Sequence, residues 1–252
     1  MLQTRIIPVL LLKNGGLYKG IGFKNHTYVG DPINTIKLFN DKEVDELVIL
    51  DIEASKENKS IDFEILEEIV SEAFMPVAYG GGIKSIDDAK RVFSLGIEKI
   101  VLNTSAVLNN YLIKELVDIY GSQSILFSLD YKKSMFGYNT YIKSGSEKIG
   151  SDIKELAMKM QDLGIGEIIL NSIDNDGKMN GYDLKVLSEI SNILTIPVIV
   201  AGGAKTIDDF KLAKSSGASA CAASSMFVYH GPHRAVLISY PNYSKLREIL
   251  GE

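Results

Sequence analysis

The chain has 252 residues, 46% of them hydrophobic and 23% charged, and a formal net charge of −5. That balance belongs to a folded globular protein and excludes a disordered chain, and a mild acidic excess without a long basic run argues against nucleic acid as the main partner. The single cysteine, Cys221, excludes an intramolecular disulfide framework and a cysteine-based zinc cluster.

The start, Met1-Leu-Gln-Thr-Arg-Ile-Ile-Pro, shows no charged segment followed by a long apolar stretch. No apolar run approaches the roughly 18 residues of a membrane span, so a cytoplasmic protein off the membrane is expected. Short β-rich runs then alternate with helical patterns. The first run is Ile6–Leu12. Leu47–Ile52 follows with a helical pattern over Phe63–Ala73, Met75–Tyr79 with Ile86–Leu95, and Ile100–Leu102 with Leu112–Tyr120. The second half reads Ile125–Leu129 with Ile153–Leu163, Ile168–Leu170 with Leu184–Ile190, Ile196–Val200 with Ile207–Ser216, and Ala218–Ala223 with Tyr243–Leu250. Most runs lack strict alternation, as expected of parallel strands buried on both faces. Ser85 before Asp87-Asp88 and Thr206 before Asp208-Asp209 read as helix caps. Eight β/α units in a chain of this length predict one α/β domain, a (β/α)₈ TIM barrel. A doubly wound open sheet is the competing arrangement, but no long switch-point insertion is present.

The chain repeats itself once. Val77–Val107 lies on Val198–Val228 without a gap, at an offset of 121 residues. Gly81-Gly82 falls on Gly202-Gly203, Lys84 on Lys205, Ile86-Asp87-Asp88 on Ile207-Asp208-Asp209, and Gly96 on Gly217; the same offset carries Glu46 onto Glu167. Such a repeat predicts two half-barrels, about 1–122 and 123–252. Glycines after a strand let bare backbone N–H groups approach an anion, and the strand ends Asn103-Thr104 and Ser224-Ser225 supply short polar side chains. Two such cups point to an elongated ligand with two phosphates; the bland reading of the glycines is tight turns.

These features, with Arg5-Ile-Ile-Pro-Val-Leu, Lys19-Gly20, Asp31-Pro32, Asp45-Glu-Leu-Val-Ile-Leu-Asp-Ile, Gly80-Gly-Gly-Ile and Asn103-Thr-Ser-Ala, resemble the histidine-biosynthesis barrels. Ser172-Ile-Asp-Asn-Asp-Gly followed by Gly181-Tyr-Asp resembles the cyclase subunit of imidazole glycerol phosphate synthase, HisF, rather than its sister isomerase. The resemblance implies a heterodimer with a HisH-type glutaminase at the N-terminal face of the barrel. Ammonia would cross the core to a phosphoribulosyl-formimino carboxamide nucleotide at the other face. It implies ligand contacts from Lys19, Gly81, Gly82, Asn103, Thr104, Asp176, Gly177, Gly202, Gly203, Ser224 and Ser225, and an ammonia gate of Arg5, Glu46, Lys99 and Glu167. Glu98 and Gln123 resemble glutaminase contacts. No cofactor and no metal are expected; His230 and His233 lack a third ligand nearby and read as a surface or partner contact.

The family uses an acid/base aspartate on each of two strands. Asp130 matches one, but Leu11 stands at the other, two residues before Lys13 as Asp130 stands two before Lys132. Leucine exchanges no protons, and a positioned acid/base is worth about 10²–10⁴ in rate. Asp51, Asp174, Asp176 and Asp183 are the other carboxylates at the mouth open to a relayed role. The ending Tyr229-His-Gly-Pro-His-Arg-Ala-Val-Leu-Ile-Ser-Tyr-Pro resembles that of diverged HisF paralogues of bacterial surface-sugar pathways, which implies a third partner, a sugar amidotransferase. The two function classes are therefore an ammonia-delivering binding subunit and a cyclase (lyase) that tolerates Leu11.

Overall fold

The computed structural model describes residues 3–251. Eight parallel strands close into a barrel: β1 (Arg5–Lys13), β2 (Leu47–Asp51), β3 (Val77–Gly80), β4 (Lys99–Leu102), β5 (Ile125–Ser134), β6 (Glu167–Ser172), β7 (Val198–Ala201) and β8 (Ala220–Ala223). Each pairs with the next, and β8 returns to β1 through Arg5↔Ala220 and Ile7↔Ala222. Closure explains the unbroken apolar runs. Ile7, Val48, Ala78, Val101, Leu126 and Ile199 fill the interior. Alternate residues such as Ile6, Ile49, Tyr79 and Leu170 pack outward against the helices. Each fully buried aliphatic side chain stabilises the fold by about 1.5–3 kcal/mol.

Eight longer helices surround the barrel: α1 (Pro32–Asn40), α2 (Phe63–Glu72), α3 (Ile86–Ser94), α4 (Asn110–Tyr120), α5 (Ile153–Asp162), α6 (Leu184–Ser191), α7 (Ile207–Ser215) and α8 (Tyr243–Leu250). Seven match the sequence reading to within two residues. The eighth, α1, is one the patterns above omit; its signal is Asp31-Pro32. Asp31 accepts the Asn34 N–H at 2.9 Å, and Pro32 occupies the first helical turn. Ser85 caps α3 as expected, with its hydroxyl accepting from Asp88 N–H at 3.1 Å. Asp209 accepts the Thr206 N–H at 2.9 Å at the start of α7. Among the described residues no helix is long and apolar enough to cross a membrane.

Three pairs of elements keep the sequence offset. β3 and β7, α3 and α7, and β4 and β8 have bounds that differ by the same 121 residues. Gly96 and Gly217 adopt φ of 101° and 100°. Two hairpins were not anticipated from the sequence. β1 runs on through Asn14-Gly15 into strands Gly16–Ile21 and Lys24–Gly30, and β5 runs on into Gly137–Ile142 and Glu147–Ile149. Asn14 and Gly15 have φ of 47° and 72°, as a two-residue hairpin turn with both φ positive requires. Tyr18 and Lys19 lie on the first of these added strands.

Candidate active site and charged ring

At the N-terminal end of the barrel four charged side chains meet. Arg5 opens β1, Glu46 precedes β2, Lys99 opens β4 and Glu167 opens β6. Arg5 Nη1 lies 2.5 Å from Glu46 and Nη2 lies 2.8 Å from Glu167. Lys99 Nζ lies 3.0 Å from Glu46 and 3.1 Å from Glu167. Every charge contacts both opposite charges, so the contacts form a closed four-membered ring. This pairing offsets the desolvation of Glu46, whose side chain is 4% exposed. Burial lowers the basicity of Arg5, but Glu167 and Glu46 outweigh it and hold the guanidinium above its ordinary value. Beyond the ring the barrel interior is filled by Ile7, Val48, Val101 and Leu126, with Ala220 and Ala222 on the β8 side.

At the C-terminal mouth the strands end around a cavity of about 140 Å³. Asp130, 7% exposed, lines it from β5. Its Oδ1 accepts from Ser128 Oγ at 2.8 Å and from Asn171 Nδ2 at 3.3 Å. Burial nonetheless pushes the carboxyl up to about 7, so it exists in both protonation states near neutrality. Leu11 lines the same cavity from β1. The two residues share a register: Leu11 pairs with Tyr18 and Asp130 with Tyr141, each where its strand enters its hairpin. Of the four other carboxylates considered, only Asp51 and Asp176 reach the cavity. Asp174 accepts from Lys133 N–H at 2.7 Å, and Asp183 caps α6. Asp51 accepts from the Glu53 and Ala54 N–H groups at 2.8 and 2.9 Å, yet burial raises its pKa.

The paired glycines flank this cavity. Gly81 and Gly82 have φ of 113° and 76°, and Gly202 and Gly203 have 86° and 117°. A Cβ on Gly81 would lie 2.4 Å from the Asp51 carbonyl oxygen, and one on Gly203 would lie 2.1 Å from that of Gly181. The turn reading of these glycines thus holds, and it coexists with their position on the cavity wall. Gly177 also lines the cavity; its Cβ would lie 2.2 Å from the Gly20 oxygen. Asn103 Nδ2 is committed to the Ser128 carbonyl at 2.9 Å, and Thr104 Oγ1 accepts the Lys143 N–H at 3.0 Å. Ser224 lines the opposite wall beside Ser225, whose hydroxyl is buried without a hydrogen-bond partner. An orphaned hydroxyl costs about 1–3 kcal/mol, which a bound oxyanion relieves.

Lys19, a ligand contact implied by the resemblance, is drawn into an ion pair. It is 3% exposed, and its Nζ lies 2.5 Å from Asp176 Oδ1. The Gly22 N–H donates to the Asp176 carbonyl at 2.9 Å, so the first hairpin is docked on the loop after β6. The other carboxylate oxygen of Asp176, Oδ2, is buried and unpartnered. That docking also brings His26 to the cavity wall, a residue given no role from sequence. Burial first, then Lys13 and Lys19, lower its basicity. His230 and His233 lie on an exposed ribbon whose strands are Tyr229–His230 and Ala235–Val236. Arg234 ties the ribbon to the mouth by donating to the Gly177 carbonyl at 3.0 Å. Among the described residues no three His, Cys, Asp or Glu side chains converge as a metal site. Glu98 and Gln123 are exposed near the charged ring's end of the barrel.

A closed ring of eight parallel strands surrounded by helices, with polar groups at its C-terminal mouth and a charge ring at its other end, is a (β/α)₈ TIM barrel. Residues 5–233 match the family model described as Histidine biosynthesis protein, and the chain belongs to this family, in its HisF branch. It is 46% identical to a Pseudomonas aeruginosa protein with the provisional name imidazole glycerol phosphate synthase subunit hisF2, over 98% of this chain and 99% of the relative. It is 44% identical to a Vibrio vulnificus protein provisionally named subunit hisF3, over 99% and 97%. Imidazole glycerol phosphate synthase subunit HisF of Alkaliphilus metalliredigens is 38% identical over 91% and 92%.

Proposed function

We propose that this barrel accepts ammonia from a HisH-type glutaminase at its charged ring and releases it at the C-terminal mouth for amidination of a bacterial surface sugar by a third enzyme, an amidotransferase. The single observation that carries the reading is the pairing of an intact four-charge ring with Leu11 at the mouth. Machinery for admitting a small neutral molecule is retained where half of the acid/base pair is not. Arg5, Glu46, Lys99 and Glu167 act as the gate. The higher identity to relatives named hisF2 and hisF3 than to the Alkaliphilus HisF supports a diverged paralogue. The shared 121-residue offset of strands and helices supports two half-barrels, about 1–122 and 123–252, within one domain. A cytoplasmic site of action fits a glutaminase partner.

The mouth also takes a phosphorylated small molecule. Gly81, Gly82, Asn103 and Thr104 form one cup, and Gly177, Gly202, Gly203, Ser224 and Ser225 the other, with Lys19 and Asp176 between them. The unpartnered Ser225 hydroxyl supports this. It also favours a second reading, an active cyclase of histidine biosynthesis. There Asp130 alone would serve the reaction of ammonia with the phosphoribulosyl-formimino carboxamide ribotide, giving imidazole glycerol phosphate and an aminoimidazole carboxamide ribotide. A cyclase assay with excess ammonium salt and that bisphosphate separates the two, because ammonium bypasses the glutaminase. The delivery reading expects ligand binding with a rate about 10²–10⁴ below that of a barrel with both aspartates. Turnover at the two-aspartate rate would make the chain a histidine enzyme.

A further inference from the structure

The polar trio at the mouth has an apolar counterpart in the other half of the barrel. Ser128 and Asp130 stand two apart on β5, and Asn171 is the β6 residue paired with Asp130. Val9 and Leu11 stand two apart on β1, and Leu50 is the β2 residue paired with Leu11. Leu50 and Asn171 are related by the 121-residue offset that relates Glu46 to Glu167. All six residues line the one cavity. Where Asp130 meets two donors, at 2.8 and 3.3 Å, a carboxyl at Leu11 would meet two hydrocarbon side chains. The two halves therefore differ at a whole constellation rather than at one side chain.

We infer that Ser128 and Asn171 are positioning residues that hold Oδ1 of Asp130 and leave Oδ2 to meet the ligand. The inference rests on reading Asp130 as the group that meets the ligand. Both bonds land on one oxygen, so they fix the carboxylate plane. Both favour the charged form, against burial and against repulsion from Asp176. The other ionisable groups sharing the cavity are Lys19, His26 and Asp51.

The test is a ¹³C-carboxyl NMR titration of Asp130 in the full chain. Ser128→Ala removes a donor to the charged form, so the midpoint rises by about one unit, whereas Ser128→Thr keeps the hydroxyl and stays within about 0.3 of the parent. A midpoint that Ser128→Ala leaves unmoved overturns the inference. A second comparison stands if that variant does not fold. The new carboxyl of Val9→Ser/Leu11→Asp/Leu50→Asn should titrate about one unit or more below that of Leu11→Asp alone, and equal midpoints overturn the inference. The titration uses no glutaminase and no bisphosphate. Failure of the ammonia-delivery reading would leave it intact, and its own failure would leave ammonia delivery intact.

Discussion

Leu11 and Asp130 occupy the same place in the two halves of the barrel, each at the point where its strand leaves the barrel wall and enters a hairpin, opposite Tyr18 and Tyr141 respectively. At these two matching positions the mouth is chemically one-sided. One holds a carboxyl that burial pushes up to about 7, and the other a hydrocarbon side chain.

Asp130 destabilises the fold as pH rises. Its folded-state pKa, about 7, exceeds the ordinary carboxylate value near 4. Between these values the unfolded chain ionises first, so stability falls through that window. Asp130→Asn should match the parent in urea denaturation at pH 4 and exceed it at pH 7 by as much as about 4 kcal/mol. Equal stabilities at pH 7 would show that the carboxyl ionises normally.

Removing one cation from the ring should act on ammonia transfer before it acts on folding. In Lys99→Ala, Arg5 alone faces Glu46 and Glu167, at a cost of roughly 1–3 kcal/mol given the partial exposure of the set. That is a modest loss for a barrel of this size, so the variant should still fold. The product formed per glutamine hydrolysed, measured with the glutaminase bound, should fall in Lys99→Ala and in Arg5→Ala. Unchanged coupling in both would remove the gate assignment.

The first hairpin should depend on Lys19 and Asp176 as a pair. Either single replacement by alanine leaves a buried charge uncompensated and should cost about 3 kcal/mol or more, while the double replacement should cost less than the sum by about 1–3 kcal/mol. Limited proteolysis within residues 14–30 reads the local loss. Additive effects would mean that the hairpin is held by other contacts.

Ser225→Ala should separate stability from binding. The hydroxyl satisfies nothing within the described residues, so its loss should leave thermal stability unchanged or slightly higher. Inorganic phosphate or the bisphosphate, titrated calorimetrically, should bind about tenfold more weakly, one hydrogen bond to a charged group. Undiminished affinity would place the phosphate elsewhere.

The barrel was legible because periodicity and repetition are local properties. Each strand core and seven helices follow from apolar runs, and the 121-residue offset orders them. The hairpins were legible only in part. Asn14-Gly15 is a strong turn signal, but the strand it opens, Gly16–Ile21, carries Lys19 inward, against the usual preference of lysine for water. What reverses that preference is Asp176, 157 residues away, and nothing local announces such a partner. The role of Asn103 shows the same limit. A short polar residue at a strand end reads as a ligand contact, and nothing local announces that its amide also donates to the Ser128 carbonyl. His26 reached the cavity for the same reason as Lys19, by docking of the hairpin.

The charged ring is a cycle, and a cycle cannot be opened at one point. If the Arg5–Glu46 contact parts, the remaining three still join all four side chains in an unbroken string. An aperture requires a whole side chain to swing away, so two ion pairs must break in the same event. Thermal jitter of single contacts therefore does not make this end of the barrel leak. If the ring is the proposed gate, its opening is a threshold process, and a partner docked there would have to supply counter-charges to the side chain that leaves and to the neighbours it leaves behind.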